Sequence, residues 1–287
     1  MSRFAVSNFD IKQLRTFLAV VEYGGVSAAA YRTGSSLSSV SRDLSALEPG
    51  LPADRYAGAA LFPGTISLSD PGAIMARLAD AAKAAGIERV GARVSGLARD
   101  RAGWKIALDT GARQTAGKLV VAAGAWSRDL AHALGTSIPL DTERGYHVEY
   151  DLSAEAMPLA RPCCPVRQGY YLVPMAGRLR AAGTVELGGR DALPSTHRWA
   201  RIEKGVRALF PDLPAPARRW MGLRPSLPDS LPVIGPAPRA PDAVFAFGHG
   251  HLGLTLAPRT ALMVADMIAG RRPAVDLSPY RPGRFWP

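Results

Sequence analysis

The chain is 287 residues long, 47% hydrophobic and 21% charged, with a formal net charge of +11, which suits one large or two modest packed domains and is ordinary for a globular protein. No apolar run reaches membrane-spanning length and the start, MSRFAVSNFDIKQ, lacks a signal peptide's apolar core; a cytoplasmic protein is therefore expected, with peripheral membrane contact left open. Its two cysteines, Cys163 and Cys164, are adjacent, which excludes a disulfide framework and is too few ligands for a metal site.

The positive charge is spread out, with a net of +1 over residues 1–48 and +3 over 271–287. That distribution argues against a nucleic-acid patch. Taken in chain order, residues 10–48 predict three helices. Leu14, Phe17, Leu18 and Val21 repeat at helical spacing until Gly24 and Gly25, Ser27 caps a second short helix, and a third spans 37–47. The stretch EPGLPADRY then marks a boundary.

Beyond it, short strands and helices alternate. A strand is expected over 56–63 and a helix over 68–86, with Pro71 in its first turn. Three strands come next between 87 and 125 around a turn at Asp109–Gly111. The last, 119–123, is continuously apolar, as a strand buried on both faces would be. A hairpin turning at Ala176 and Gly177, a helix over 199–209, a buried strand AVFAF and a helix over 256–269 complete the pattern. The two apolar runs at 119–123 and 244–247 both end in glycine turns, so they are expected side by side in one sheet.

Between the last strand and helix lies GHGHLG, with Gly248, Gly250 and Gly253 spaced as in a dinucleotide fingerprint. The context is wrong for one. A fingerprint needs a following parallel strand with an acidic residue, and DLSPYRPG after the helix cannot be that strand. What survives is a flexible loop whose helix N-terminus directs free N–H groups at an electron-rich partner. His249 and His251 have no further ligands nearby in sequence, so no metal is expected.

Two resemblances sharpen this. The segment 10–48, through Leu14/Phe17, Ser27–Ala30, Val40-Ser41-Arg42 and Ala46-Leu47-Glu48, resembles the opening of LysR-type regulators. Thr33 and Leu37 depart from that pattern and no β-wing comes after it, so little sequence-specific DNA affinity is expected. From about residue 47 to 285 the chain resembles the FAD-dependent D-amino-acid oxidase/dehydrogenase family. The motifs are KLVVAAGAWSRDLAHALG, ERGYHVEY, YYLVPMAGRLRAAGTVE, RWMGLRPSLPDSLPVIGPAP and VFAFGHGHLGLTLAP.

That resemblance implies an α/β (α+β) fold: an incomplete FAD/NAD(P)-binding Rossmann-like sheet with an antiparallel substrate domain, behind a small helical segment. The corresponding division is 1–48 and 49–287, with a flavin part at about 66–135 and 230–287 and a substrate part at about 55–65 and 136–229. The family's own pyrophosphate unit normally precedes Leu47–Pro49, where the regulator-like helices stand, which would weaken FAD binding. The implied cofactor is FAD and the implied reaction is hydride transfer from Cα of an amino acid or amine. Quinone or oxygen would be the final electron acceptor. Arg224 would hold the substrate carboxylate, with Tyr146 and Tyr171 nearby. Val94, Gly124, Ala125, Trp126 and the run Gly248, His249, Gly250, His251, Leu252, Gly253, Leu254 and Thr255 would contact the flavin. Two other readings compete: a LysR-like DNA-binding regulator with a flavoprotein-like body, and an inactive fusion remnant.

Overall fold

A computed structural model describes residues 67–165 and 168–285. The helices expected over 10–48 and the strand over 56–63 lie outside the described residues. The remainder is mixed α/β and falls into two compact units. One comprises His147–Gly183 and Thr196–Arg219 with residues 67–76. The other comprises Arg77–Tyr146, Thr184–Ser195 and the chain from Trp220.

Helix α1 (Pro71–Ala84) starts at Pro71, three residues after its expected position. Asp70 caps it by accepting hydrogen bonds from Gly72 N at 2.9 Å and Ala73 N at 3.1 Å, and Pro71 occupies the first helical position, where no N–H is needed. An antiparallel sheet comes after it, with β1 (Val94–Asp100), β2 (Gly103–Leu108) and β3 (Arg113–Ala116) in that order. Strand β3 is absent from the sequence expectation because RQTA is almost wholly exposed and carries no apolar alternation.

Strand β4 (Leu119–Val121) pairs in parallel with β10 (Ala240–Phe247), and β9 (Val233–Ala237) pairs antiparallel on β10's other side. The two apolar runs are side by side, as expected. One correction is needed. Val120 is 42% exposed, so β4 is not buried on both faces: Val121 turns into the core while Val120 is partly open to solvent. Strand β10 does fit the buried description, with Ala243, Val244, Phe245 and Phe247 all in the interior. Phe245, Phe247, Val233, Leu140, Leu227 and Trp104 belong to one core cluster.

After β4 comes a single 3₁₀ turn (Gly124–Trp126), then α2 (Ser127–Ala133). A four-stranded sheet has the order β6-β7-β5-β8, where β5 is Asp141–Asp151, β6 Tyr170–Met175, β7 Arg178–Leu187 and β8 Arg218–Ser226. The β6–β7 hairpin turns at Ala176 and Gly177. Helix α3 (Thr196–Leu209) buries Ile202, Val206 and Leu209, one face at helical spacing. Gly205 lets it close on the sheet, because a Cβ there would lie 2.7 Å from the Tyr170 hydroxyl. Helix α4 (Gly253–Ile268) starts three residues ahead of its expected position.

Strand alternation breaks in β7. On β5, Tyr146 and His147 point to opposite faces. Arg180 of β7 bonds to His147, yet Glu186, an even number of residues later, bonds to Tyr146. Thr184 makes the change: its φ is +60°, in the left-handed region that a β-branched residue rarely adopts. Among the described residues no helix is long and apolar enough to cross a membrane.

Candidate active site

Arg224 lies near the end of β8, with Pro225 holding the strand extended. It is half-buried, and its guanidinium rests on the α-carbon of Gly145 in β5. A Cβ on Gly145 would come within 2.7 Å of Arg224 Nε and closer still to Cζ and Nη2, so only glycine leaves room for the fork. The guanidinium has no hydrogen-bond or ion-pair partner among the described residues. A planar, permanently charged fork held open in this way suits a carboxylate brought by a ligand.

The next residue along, Pro225, holds the glycine loop. Gly250 N donates to Pro225 O at 2.8 Å, and Gly248 packs so closely on Leu227 that a Cβ would strike that leucine's Cδ1. Gly248 (φ +84°) and Gly250 (φ +53°) are left-handed; Gly253 is already the first residue of α4. The face of Gly250 is open: a Cβ there would meet only Ser226 Oγ, at 3.7 Å. The N-cap of α4, Leu252, supplies no side-chain hydrogen bond, which leaves the amides of Gly253, Leu254 and Thr255 without intrahelical acceptors.

Around this loop, His249 shares a 3.0 Å hydrogen bond with Thr260 Oγ1, and burial lowers its pKa and favours the neutral ring. His251, Leu252, Leu254 and Thr255 are exposed. Gly124 is left-handed (φ +56°), Ala125 is buried and Trp126 is 48% exposed, so the 3₁₀ turn presents an aromatic edge. Val94 is half-buried at the start of β1, beside an irregularity in the β1–β2 register. The open glycine face and the uncapped helix start leave room and unsatisfied N–H donors for a flat, electron-rich group.

Tyr146 is only 1% exposed. Its hydroxyl donates to Glu186 Oε2 and accepts from Ser195 N at 3.0 Å. Burial first, and the Glu186 carboxylate second, raise its pKa. Beside it, Arg144 is also 1% exposed; Nη1 is 3.4 Å from Glu186 Oε2 and Nη2 donates to Ala192 O at 2.7 Å. Tyr146 therefore anchors the Gly188–Ser195 loop. Sequence reasoning misses Gly145, Arg144 and Glu186 as individual residues, although the ERGYHVEY and GTVE motifs that contain them carry the signal.

In the other unit Tyr171 is 60% exposed on β6, opposite Ala182. Within that unit Glu149, only 8% exposed, is ringed by Arg218 Nε at 2.9 Å, Arg178 Nε at 3.4 Å and Arg180 Nε at 4.0 Å. His147 accepts at Nδ1 from Arg180 Nη2 at 2.7 Å. Burial, then the Arg180 charge, push its pKa down to about 4 from 6.5. A group depressed in the fold stabilises it fully above the unfolded value and loses that contribution as protons bind. Stability is therefore expected to fall between pH 6.5 and about 4. His147→Gln should flatten thermal midpoints across that window; an unchanged slope would place the titration elsewhere.

Comparison with known proteins decides the family. The model of the FAD dependent oxidoreductase family matches residues 10–267. The chain belongs to the FAD-dependent oxidoreductase family. The match begins at residue 10 rather than near 47, so it takes in the segment compared above with LysR-type regulators. A D-amino-acid oxidase of Bradyrhizobium diazoefficiens is 42% identical over 224 residues, which cover 75% of this chain and 52% of that protein. A glycine oxidase of Pseudomonas aeruginosa is 33% identical over 168 residues, covering 58% and 45%. The solved structure of a glycine oxidase from Geobacillus kaustophilus superposes with a TM-score of 0.60 at 28% identity, covering 67% of this chain and 52% of that one. The chain spans about half the length of the curated relatives it matches. FAD is the cofactor of this FAD-dependent oxidoreductase family.

Proposed function

We propose that the chain is an amino-acid or amine oxidoreductase of the D-amino-acid dehydrogenase type. The observation that carries this reading is the half-buried Arg224 fork, which lies beside the glycine loop and has no side-chain partner among the described residues. Gly248–Thr255, Gly124–Trp126 and Val94 would hold FAD. Bound FAD supplies the acceptor for the hydride leaving the substrate Cα, and the resulting imine hydrolyses to an oxo product and ammonia or an amine. Arg224 binds the substrate carboxylate and fixes the orientation of Cα. The α4 N-terminus favours negative charge at the ring's pyrimidine end. Tyr171, exposed in the other unit, is a candidate for the substrate on resemblance alone, and Tyr146 serves as a positioning residue through Glu186 and Ser195.

In this reading residues of about 66–135 and 230–287 serve the flavin and about 55–65 and 136–229 the substrate. The acceptor that takes the electrons onward is a quinone or oxygen. Cys163 and Cys164 are not joined in a disulfide, which suits a reducing cytoplasm. DNA has no part, because the positive charge is dispersed. Titration of the purified protein with FAD should produce a protein-bound flavin spectrum, and D-amino acids with a dye acceptor should then bleach the dye. Absence of both, at saturating FAD, removes the proposal.

A further inference from the structure

The most heavily engaged guanidinium in the flavin part is not at the site. Arg284, beyond α4, has a side chain only 10% exposed and uses all three nitrogens. Nε donates to Asp229 Oδ2 at 2.7 Å and Nη2 to Asp229 Oδ1 at 3.2 Å, a two-pronged carboxylate contact. Nη2 also reaches Leu231 O at 2.7 Å, while Nη1 donates to Tyr280 O at 3.1 Å and Arg281 O at 3.2 Å. The Phe285 ring covers it, with the guanidinium carbon 4.2 Å from the centroid.

These contacts converge on one turn. Asp229 Oδ1 also accepts from Leu231 N at 3.1 Å; Ser230 is left-handed at φ +60°; and Ser230 N donates to Leu227 O at 2.9 Å. A non-glycine residue at that φ persists only where its surroundings over-determine it. Leu227, the first residue of the turn, is the side chain against which Gly248 packs, and Pro225 is the acceptor for Gly250 N.

We propose that Arg284 is a positioning residue for the glycine loop, acting through the Asp229 turn and Leu227. The chain's last turns thereby set the height of Gly248–Gly250, more than thirty residues earlier. The mechanical half of this proposal stands on the contacts above, and its consequence for cofactor binding rests on the flavin reading. Lysine cannot replace the arginine, because a single ammonium cannot span a carboxylate and three carbonyls in fixed directions.

The test is amide hydrogen exchange on the full chain without added flavin, comparing the parent protein with Arg284→Ala, Arg284→Lys and the milder Asp229→Asn. Exchange is expected to speed up about tenfold or more at 227–231 and at 248–252 in the alanine and lysine variants, with β9 and β10 amides unchanged. Uniform acceleration across β9 and β10 would make Arg284 a general stabiliser, and acceleration confined to 227–231 would show that the turn does not steer the loop. Either outcome overturns the proposal, as does full rescue by lysine. If an arginine variant fails to fold, Asp229→Asn carries the same comparison. FAD titration then separates the readings: a parent that takes up no FAD removes the flavin proposal, while the exchange pattern still decides the clamp. With FAD bound, the variants should show weaker affinity and a shifted flavin absorption band.

Discussion

Arg224→Ala is expected to lower kcat/KM for an α-amino acid by roughly 30- to 1000-fold, the loss that about 2–4 kcal/mol of charge-assisted, two-pronged binding represents. The flavin should stay bound, because in the proposed reading the guanidinium, which lies against Gly145 and has no acceptor among the described residues, meets substrate rather than cofactor. Gly145→Ala offers an independent route to the same result. It removes no charge, but its methyl must displace the Arg224 fork, so the defect should again appear in substrate handling. Dye-coupled kinetics, with flavin absorbance recorded for each variant, read both effects. Unchanged kcat/KM in Arg224→Ala would take the residue out of the substrate site, and lost flavin absorbance would make it a structural contact.

The second large effect is on stability. Arg144 is enclosed, with Glu186 at 3.4 Å, Ala192 O at 2.7 Å and Gly188 so close that a Cβ there would lie 2.8 Å from Nη1. Arg144→Leu removes the cation and strands a largely buried carboxylate and a carbonyl, a class of change that costs about 3 kcal/mol or more. At this size of fold that is a fall in Tm of about 10 °C. Glu186→Gln should cost less, since the amide keeps a hydrogen-bonding group for Tyr146. Chemical denaturation of the three proteins checks the ranking. A loss below about 1 kcal/mol for Arg144→Leu would mean the Gly188–Ser195 loop is held by Tyr146 and Ser195 alone.

The parts of this fold that are legible in the sequence are those decided locally. The turn at Ala176 and Gly177, the capped start of α1 and the apolar runs of β4 and β10 each carry their signal within a few residues. The glycine loop separates from a dinucleotide fingerprint because the stretch after α4 cannot form a strand; it folds instead as two 3₁₀ turns. The features that stay hidden depend on meetings across the chain. Gly145 reads as an ordinary strand glycine until Arg224 lies on it. The motif around Tyr146 points to the substrate, but whether the ring itself faces in or out depends on the pleat of β5 and on a one-residue irregularity at Thr184. Val120 reads as buried because apolar sequence alone does not say which face a neighbour covers.

The parallel pairing of β4 with β10 constrains how the protein comes into being. Its partners, Leu119 with Ala243 and Val121 with Phe245, are separated by well over a hundred residues, and β9 joins the same sheet from the late side. Closing so large a loop is entropically slow, and contacts of high sequence separation govern folding rate more than final stability. Among the described residues β10 is the only partner of β4, so during synthesis that pairing waits until the ribosome has delivered β10. The β5–β6–β7 hairpin region can form much earlier. Early termination anywhere before residue 240 would leave β4 without β10, and such truncated chains should aggregate more readily than the full chain.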